Sequence, residues 1–198
     1  YPWDGRENLE PGEVPKEFNP FGIYKRNIDI PKEWKNRPVY ISFQGVESSL
    51  ELYCNGEFVG YSEDSFTPSE FELTKYLKNE NNEITVKVYK WCSGSWLEDQ
   101  DFWRLSGIFR DVYLYSIPDV HVKDMFITSE LVNNFKKATL KNILKIQSYK
   151  EAIVDIEMEL IDKTEVIFKV EEKNIKIEKE LKLELNKKVE NPKLWSAE

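Results

Sequence analysis

Histidine, cysteine and methionine are nearly absent from this chain of 198 residues, which contains one His, two Cys and two Met. The single His121 excludes a His-rich metal centre and makes any Ser-His-Asp arrangement depend on that one side chain. Cys54 and Cys92 are too few for a disulfide framework and lack the paired spacing of a zinc site. We therefore predict two free, buried thiols.

Long apolar runs are missing as well. No stretch approaches the roughly 20 residues that span a bilayer, and no charged-then-apolar leader opens the sequence, so we expect a soluble chain without a membrane partner. The 36 acidic residues outnumber the 28 basic ones, and a net charge of -8 repels nucleic acid on average. The 14% of aromatic residues still predict a folded protein.

Helical periodicity is scarce, with one turn predicted at residues 74–78. Short segments with strand character dominate instead, and residues 84–88 alternate apolar and polar side chains as a half-buried strand does. Asn55-Gly56 predicts a type I′ hairpin turn, because both of its central positions need positive φ. The first series of predicted strands covers residues 23–30, 39–46, 50–54, 58–61, 83–88 and 112–115.

A change in composition follows residues 116–119, where proline interrupts a strand and aromatic residues become sparser. We predict two domains, residues 1–118 and residues 119–198, both all-β sandwiches. The second, Lys- and Glu-rich series of strands suits a small immunoglobulin-like sandwich with solvated outer faces: residues 120–128, 138–148, 152–160, 165–171 and 181–185. The missing initial Met and the abrupt end suggest a piece of a longer protein.

The densest polar and aromatic cluster lies in residues 91–111. Three carboxylates fall within four residues and are flanked by three tryptophans: Glu98, Asp99, Asp101, Trp91, Trp96 and Trp103. Carboxylates bind sugar hydroxyls or hard cations, and flat aromatic rings contact the apolar face of a pyranose. An acidic chain also produces such clusters by chance, and Arg104 can pair with the acids on a loop. On residue type alone we expect Trp91 and Trp103 to be core residues.

Three motifs resemble the β-galactosidases of glycoside hydrolase family 2. Residues 96–112 read WLEDQDFWRLSGIFRDV, residues 52–65 read LYCNGEFVGYSEDS, and the last ten residues read VENPKLWSAE. The resemblance implies a jelly-roll sugar-binding domain over residues 1–118 and an immunoglobulin-like domain over residues 119–198. It further implies that the catalytic TIM barrel of a retaining, cytoplasmic, homo-oligomeric β-galactosidase lies elsewhere in the same polypeptide, so that no residue of this chain is catalytic and the chain alone is inactive.

The resemblance also implies site residues. Asp101 matches an acidic residue that contacts galactose hydroxyls and helps hold a sodium ion, and a magnesium ion is implied for the longer protein. A second sugar contact is implied before Val14-Pro15, where Asp4, Asn8 and Glu10 are candidates and residue type favours Asn8. Residues 19–24 match the family's entry to the first strand, with a structural role.

Two alternatives remain at this point. In the first, the chain would be a free-standing carbohydrate-binding module. In the second, it would be the front part of a related glucuronidase or mannosidase. The acidic run at residues 98–101 favours the galactosidase branch.

Overall fold

The computed structural model describes residues 7–98, 101 and 103–195. The chain divides into two compact units, Tyr1–Ile117 and Pro118–Glu198. Within the described ranges, regular helix is limited to one α-turn at Ser95–Glu98 and two 3-10 turns at Lys32–Trp34 and Thr74–Tyr76. None of these is long and apolar enough to cross a membrane.

The first unit is built from antiparallel strands in two main sheets. One sheet has the order β1-β7-β4-β5, the other has the order β6-β2-β9, and β3 pairs with β8. The strands are β1 (Phe21–Ile28), β2 (Val39–Phe43), β3 (Val46–Glu47), β4 (Ser49–Cys54), β5 (Glu57–Glu63), β6 (Ser69–Glu72), β7 (Asn82–Tyr89), β8 (Gly107–Ile108) and β9 (Val112–Ser116).

Strand β7 shows why these sheets pack face to face. Its residues alternate between buried and half-buried, with Ile84, Val86 and Val88 on the buried side. Those side chains join a single cluster with Leu50 and Leu52 of β4 and with core residues of the facing sheet. Burying apolar side chains of two sheets against each other is the defining feature of a β-sandwich.

The predicted hairpin is confirmed. Cys54 pairs with Glu57, and the two residues between them have φ angles of 54° for Asn55 and 84° for Gly56, as a type I′ turn requires. The Asn55 side chain also donates to the carbonyl of Tyr76 at 2.8 Å, which fixes the turn to the chain between β6 and β7.

The second unit contains five long described strands in two sheets, ordered β10-β11-β14 and β12-β13. They are β10 (Val120–Val132), β11 (Lys137–Ser148), β12 (Ala152–Asp162), β13 (Glu165–Ile177) and β14 (Glu180–Glu190). Leu144, Ile146, Ile177 and Leu185 form the buried centre. On an outer face Lys169 donates to Glu157 and Glu171, and these hydrogen bonds raise the pKa of Lys169.

The all-β class is therefore confirmed, and both thiols are free and buried as expected. Burial raises the pKa of Cys54 and of Cys92, because the thiolate would lose hydration. Two strands escaped the sequence analysis, β6 and β8. The predicted strand at residues 39–46 is two strands, β2 and β3, because the chain bends at Gln44 and Gly45 to meet residues 109–111.

Candidate functional site

The segment after β7 is fixed where it leaves the sheet. The Asn19 side chain accepts from the Trp91 amide at 3.0 Å and donates to the Trp91 carbonyl at 2.9 Å. This reciprocal pair attaches the segment before β1 to the start of residues 91–112, which hold the acidic and aromatic motif and are called the signature below. Asn19 thus satisfies both backbone groups of Trp91.

Glu63, the last residue of β5, holds the next stretch. Its carboxylate accepts from the Ser93 hydroxyl at 2.6 Å, from the Gly94 amide at 2.9 Å and from the Tyr61 hydroxyl at 2.6 Å. Burial raises the pKa of the Glu63 carboxyl, but the hydrogen bonds from Ser93, Tyr61 and Gly94 outweigh burial and lower the pKa overall. Glu63 is therefore a charged support for the turn that begins the signature.

Glu98 holds the end of that turn. One carboxylate oxygen accepts from the Ser65 amide at 3.0 Å and the other accepts from the Ser65 hydroxyl at 2.7 Å. The three acids of the cluster therefore do not act as one set, because Glu98 is committed to Ser65. Asp99 lies outside the described residues.

The second half of the signature is fixed to residues 44–47. Ile108 pairs with Val46 and Gly107 pairs with Glu47. The Gln44 amide donates to the carbonyl of Asp111 at 3.0 Å. These backbone contacts form a second anchor, separate from the one at Glu63 and Ser65.

The Arg110 side chain and the close packing of Gly45 against Phe109 strengthen this second anchor. The guanidinium of Arg110 donates to the carbonyls of Phe66 at 2.8 Å and Gln44 at 3.2 Å. A Cβ atom on Gly45 would lie 2.7 Å from the ring of Phe109, so this close approach needs glycine.

Between the two anchors lie residues 99–106, of which the structure describes 101 and 103–106. Asp101 is exposed and has a φ of 60°, a region that aspartate adopts more readily than most residues. Trp103 is 88% exposed and Leu105 is 74% exposed. An exposed carboxylate can accept hydrogen bonds from sugar hydroxyls, and an exposed indole can cover the apolar face of a sugar ring.

The expectation that Trp103 belongs to the core is wrong. Trp103 lies between the anchors and outside both sheets, and the described residues of the first unit leave it largely exposed. Trp91 is half-buried, and its backbone is bound by Asn19 at the end of β7. Residue type alone did not distinguish these two tryptophans.

A groove of about 350 Å³ adjoins this loop. One wall contains Arg104 and Leu105, and the other contains Gly22 and Tyr24 of β1. Gly107 keeps the groove open, since a Cβ there would lie 2.9 Å from the Tyr24 hydroxyl, and its φ of 131° also favours glycine.

The segment that carries Asn8 is linked to the signature. The indole of Trp96 donates to the carbonyl of Glu13 at 2.8 Å. Glu7 accepts from the amides of Lys16 and Glu17, both at 3.0 Å, and hydrogen bonds of this kind lower the pKa of Glu7. Sequence reasoning missed this link, because nothing in the local pattern pairs Trp96 with a carbonyl 83 residues away.

Of the candidate sugar contacts near the start of the chain, the structure describes Asn8 and Glu10. Asn8 and Glu10 are exposed, and the Glu10 amide donates to the Glu13 carboxylate at 3.1 Å. Asp4 lies outside the described residues. The assignments of Asn8 and Asp101 as substrate contacts stay predictions.

A cation site requires several oxygen ligands that converge on one point. Across residues 7–98, 101 and 103–195, no three His, Cys, Asp or Glu side chains converge as a metal site would require. Asp101 offers one carboxylate, whereas hard cations of this kind take about six oxygen ligands. The described residues do not by themselves fit a sodium or a magnesium site.

Two β-sandwiches, the first with an anchored acidic and aromatic loop, define an all-β protein of two domains. Comparison with protein families is more specific. Residues 8–118 match the sugar binding domain of glycosyl hydrolases family 2, and residues 120–198 match a second domain of glycosyl hydrolases family 2. The chain belongs to glycosyl hydrolase family 2, and the resemblance seen in its motifs is confirmed.

Similar proteins agree with this assignment. The chain is 48% identical over 203 residues to a β-galactosidase of Priestia megaterium, with 100% of this chain and 20% of that protein covered. It is 48% identical over 198 residues to a β-galactosidase of Clostridium acetobutylicum, with 100% and 22% covered. The chain thus spans about a fifth of the length of these relatives.

Solved structures share the fold. A β-glucuronidase of Bacteroides uniformis superposes with a TM-score of 0.79 at 22% identity, over 90% of this chain and 23% of that one. A β-glucuronidase of Bifidobacterium dentium superposes with a TM-score of 0.72 at 18% identity, over 90% and 34%. At these identities the likeness concerns the fold alone.

Proposed function

We propose that the chain is the non-catalytic front part of a retaining β-galactosidase that hydrolyses terminal β-D-galactosides, and that it forms part of the wall around the sugar. The observation that carries this proposal is the exposed pair Asp101 and Trp103, held between two anchored segments. The β-galactosidase relatives, which align along the whole chain, support it.

In this proposal Asp101 accepts hydrogen bonds from galactose hydroxyls and Asn8 provides a second polar contact. Asp101 also contributes one oxygen to a sodium ion whose other ligands come from the catalytic barrel, and the magnesium ion belongs to the longer protein. Both assignments need residues outside this chain, because a lone exposed carboxylate is too weak a ligand for a hard cation.

The chain itself is proposed to be inactive. Retaining glycosidases need two carboxyl groups about 5 Å apart, one free to act as acid and the other as nucleophile. Two half-buried carboxylates near the loop, Glu63 and Glu98, are already occupied by hydrogen bonds to the scaffold. We therefore assign no catalytic residue here.

The proposed cellular setting is the cytoplasm, with the longer protein as a homo-oligomer. The two unbridged, buried cysteines are consistent with a reducing compartment.

Of the alternatives, a free-standing module is disfavoured by relatives about five times longer than this chain. The front part of a glucuronidase shares the fold, but the identity to β-galactosidases is more than twice as high.

The test is Asp101→Asn in the full-length enzyme, with Glu80→Gln, another exposed carboxylate, as the control. Hydrogen bonds to charged groups contribute about 1.5 to 3 kcal/mol, so kcat/KM for a galactoside should fall by more than about tenfold. The sodium dependence of the rate should weaken as well. In residues 1–198 alone the same change should leave the free energy of unfolding within about 0.5 kcal/mol.

Two results would oppose the proposal. Unchanged kinetics together with a destabilised chain would make Asp101 a structural residue. Galactoside hydrolysis by purified residues 1–198, persisting through further purification, would show that this chain carries its own catalytic groups.

A further inference from the structure

The outer face of the sheet β1-β7-β4-β5 is rich in aromatic residues. Its inner face holds buried side chains of the first unit, such as Ile84 and Val86 of β7. The alternate positions point outward, and antiparallel pairing places outward residues of neighbouring strands side by side. An exposed apolar patch of this kind marks a binding surface. Its most exposed members, at 47 to 59%, are Phe21, Ile23, Phe58 and Tyr61.

A groove of about 420 Å³ lies on this face over β7. Phe21 and Ile23 of β1 line one side of the groove, and Tyr53 of β4 lines the other. Thr85 of β7 pairs with Lys25 on one side and with Tyr53 on the other. Because the threonine side chain is shorter than either neighbour, the surface is lowest over Thr85. The volume lies within the range of about 300 to 1,000 Å³ that is common for ligand sites.

Hydrogen bonds and ring contacts hold the aromatic side chains of the groove in place. The hydroxyls of Tyr53 and Tyr89 donate to the carboxylate of Glu51, at 2.8 Å and 3.0 Å. The ring of Tyr53 packs edge-on against that of Phe58, with centroids 5.5 Å apart. The ammonium group of Lys87 lies 4.6 Å from the ring centroid of Tyr89. A ligand therefore meets rings that are already ordered, which lowers the entropic cost of binding.

The charges around the groove cancel. Lys87 pairs with Glu51 at 3.9 Å, and Lys25 pairs with Glu83 at 3.2 Å. The hydrogen bond to Glu51 raises the pKa of Tyr53, so this hydroxyl stays neutral. Two ammonium groups and two carboxylates leave this part of the surface without net charge. A neutral ligand is thus favoured over a phosphate, a nucleic acid or an anionic glycan.

A neutral oligosaccharide has the chemistry that this surface can recognise. Its sugar rings present apolar faces that stack on aromatic side chains, and its hydroxyls exchange hydrogen bonds with charged and polar groups. The groove offers both kinds of group, since Thr85, Lys25 and Glu83 line it together with Phe21 and Tyr53. A protein partner would instead bury the two ion pairs and remove them from water, which is costly.

We propose that this face binds neutral oligosaccharides, with one sugar ring lying over Thr85 and stacking on Tyr53, and with Phe58 supporting the Tyr53 ring. The site uses none of residues 99–106. It therefore goes beyond the proposed function and does not depend on it.

Titration of residues 1–198 with a thio-linked galactotetraose, which glycosidases do not cleave, tests the proposal. Backbone amide signals of β1, β7 and β4 should shift at millimolar sugar, whereas those of β2 and β9 in the other sheet should not. An oligogalacturonate of the same length, which carries a carboxylate on each ring, should bind at least about fivefold more weakly. Calorimetry repeats the titration on the full-length protein in excess galactose, which fills the galactosidase site.

Matched tyrosine variants add a second readout. Tyr53→Ala should weaken binding by at least about fivefold, because it removes the stacking ring. The control is Tyr113→Ala, since Tyr113 of β9 is 49% exposed and also donates to a carboxylate two residues earlier, Asp111, at 3.1 Å. This control should bind as the parent does. Phe58→Ala should weaken binding in the same direction as Tyr53→Ala, and urea unfolding shows which variants are folded.

Several outcomes would overturn the proposal. An absence of shifts on β1, β7 and β4, or oligogalacturonate binding at least as tight, would exclude a neutral sugar site. Equal effects of Tyr53→Ala and Tyr113→Ala would mean that the Tyr53 ring makes no special contact. Binding by residues 1–198 but not by the full-length protein would mean that another part of the longer polypeptide covers this face.

The variant Asp101→Asn separates this proposal from the proposed function. It should bind the thio-linked galactotetraose in residues 1–198 as tightly as the parent does, whatever its effect on hydrolysis. Loss of binding in Asp101→Asn would place the sugar at the loop of residues 99–106 and overturn the assignment to the sheet face.

Discussion

Single carboxylates position the signature loop of the first unit. Glu63 and Glu98 sit at either end of the turn at Ser95–Glu98 and accept hydrogen bonds from both backbone and hydroxyl donors. Because the charged form of a carboxylate is the better acceptor, such supports are strongest when ionised. The loop that presents Asp101 therefore depends on residues that are themselves unavailable to a sugar.

Glu63→Gln tests this dependence through pH. Hydrogen bonding lowers the pKa of Glu63 in the folded protein below its ordinary value of 4.5, so Glu63 stabilises the fold fully at a pH above 4.5. That contribution disappears as the pH falls from 4.5 through the lowered folded-state pKa. We expect Glu63→Gln to cost about 1 to 2 kcal/mol at pH 7 and to approach the parent protein in more acidic solution.

Urea unfolding across this pH range measures the effect. Glu57→Gln, at an exposed position of the hairpin, is the control and should show little change. A Glu63→Gln penalty that is the same at pH 7 and in acid would mean that the side-chain shape, and not the charge, supports the turn.

At the residue scale, the sequence identified a candidate site residue where the family motif at residues 96–112 contained it. The motif singled out Asp101, and the structure places it on an exposed, anchored loop, although its role is untested. The sequence did not separate Glu98 from Asp101, because the partner of Glu98 is Ser65, which lies 33 residues away. The exposure of Trp103 could not be predicted from the sequence either. It depends on the two anchors, at Glu63 and Ser65 and at residues 44–47, which are distant from Trp103 in the chain.

At the scale of elements, close approach between strands decides which residues are tolerated. A Cβ on Gly60 of β5 would lie 2.6 Å from the ring of Phe71 on β6. That ring packs edge-on against Phe43, with ring centroids 6.3 Å apart, so it cannot move away without disturbing the core. Glycine is therefore required at position 60 for packing, not for its backbone angles.

Gly60→Ala should destabilise the first unit by about 1 to 3 kcal/mol, the usual cost of overpacking a core. Gly22→Ala is the matched control on another strand, because its added Cβ would meet Tyr24 at an ordinary 3.5 Å. Thermal and urea unfolding of both variants would decide the matter. A Gly60→Ala protein as stable as Gly22→Ala would show that Phe71 can repack freely.

Elements with alternating patterns and strong turns were predictable, and those set by tertiary contacts were not. β7 and the Asn55-Gly56 hairpin carry their own signals in sequence. By contrast β8 has two residues and exists because Val46 and Glu47 lie beside it. β6 is four residues long, and its Ser and Glu positions gave no apolar run to detect.

The whole molecule is organised as two units whose sheets are each drawn from one side of residues 117–118. Each unit also has its own buried cluster, one around Leu50 and Leu52 and one around Leu144 and Ile146. A unit with its own sheets and core is the physical requirement for independent folding. The predicted boundary after Pro118 can thus be tested by truncation.

A protein of residues 1–118 should unfold in one cooperative transition, because it keeps every sheet of the first unit intact. Its final strand is essential: Leu114 of β9 pairs with Ile41 of β2, and Ile117 donates to the carbonyl of Pro38 at 3.3 Å. A protein of residues 1–111 removes that strand and exposes the core face of β2, so it should be aggregated or lack a cooperative melt. Circular dichroism melting and sedimentation of the two proteins provide the comparison. If residues 1–118 also fail to fold while the full 198 residues melt cooperatively, the first unit requires the second for stability, and the boundary does not separate independent domains.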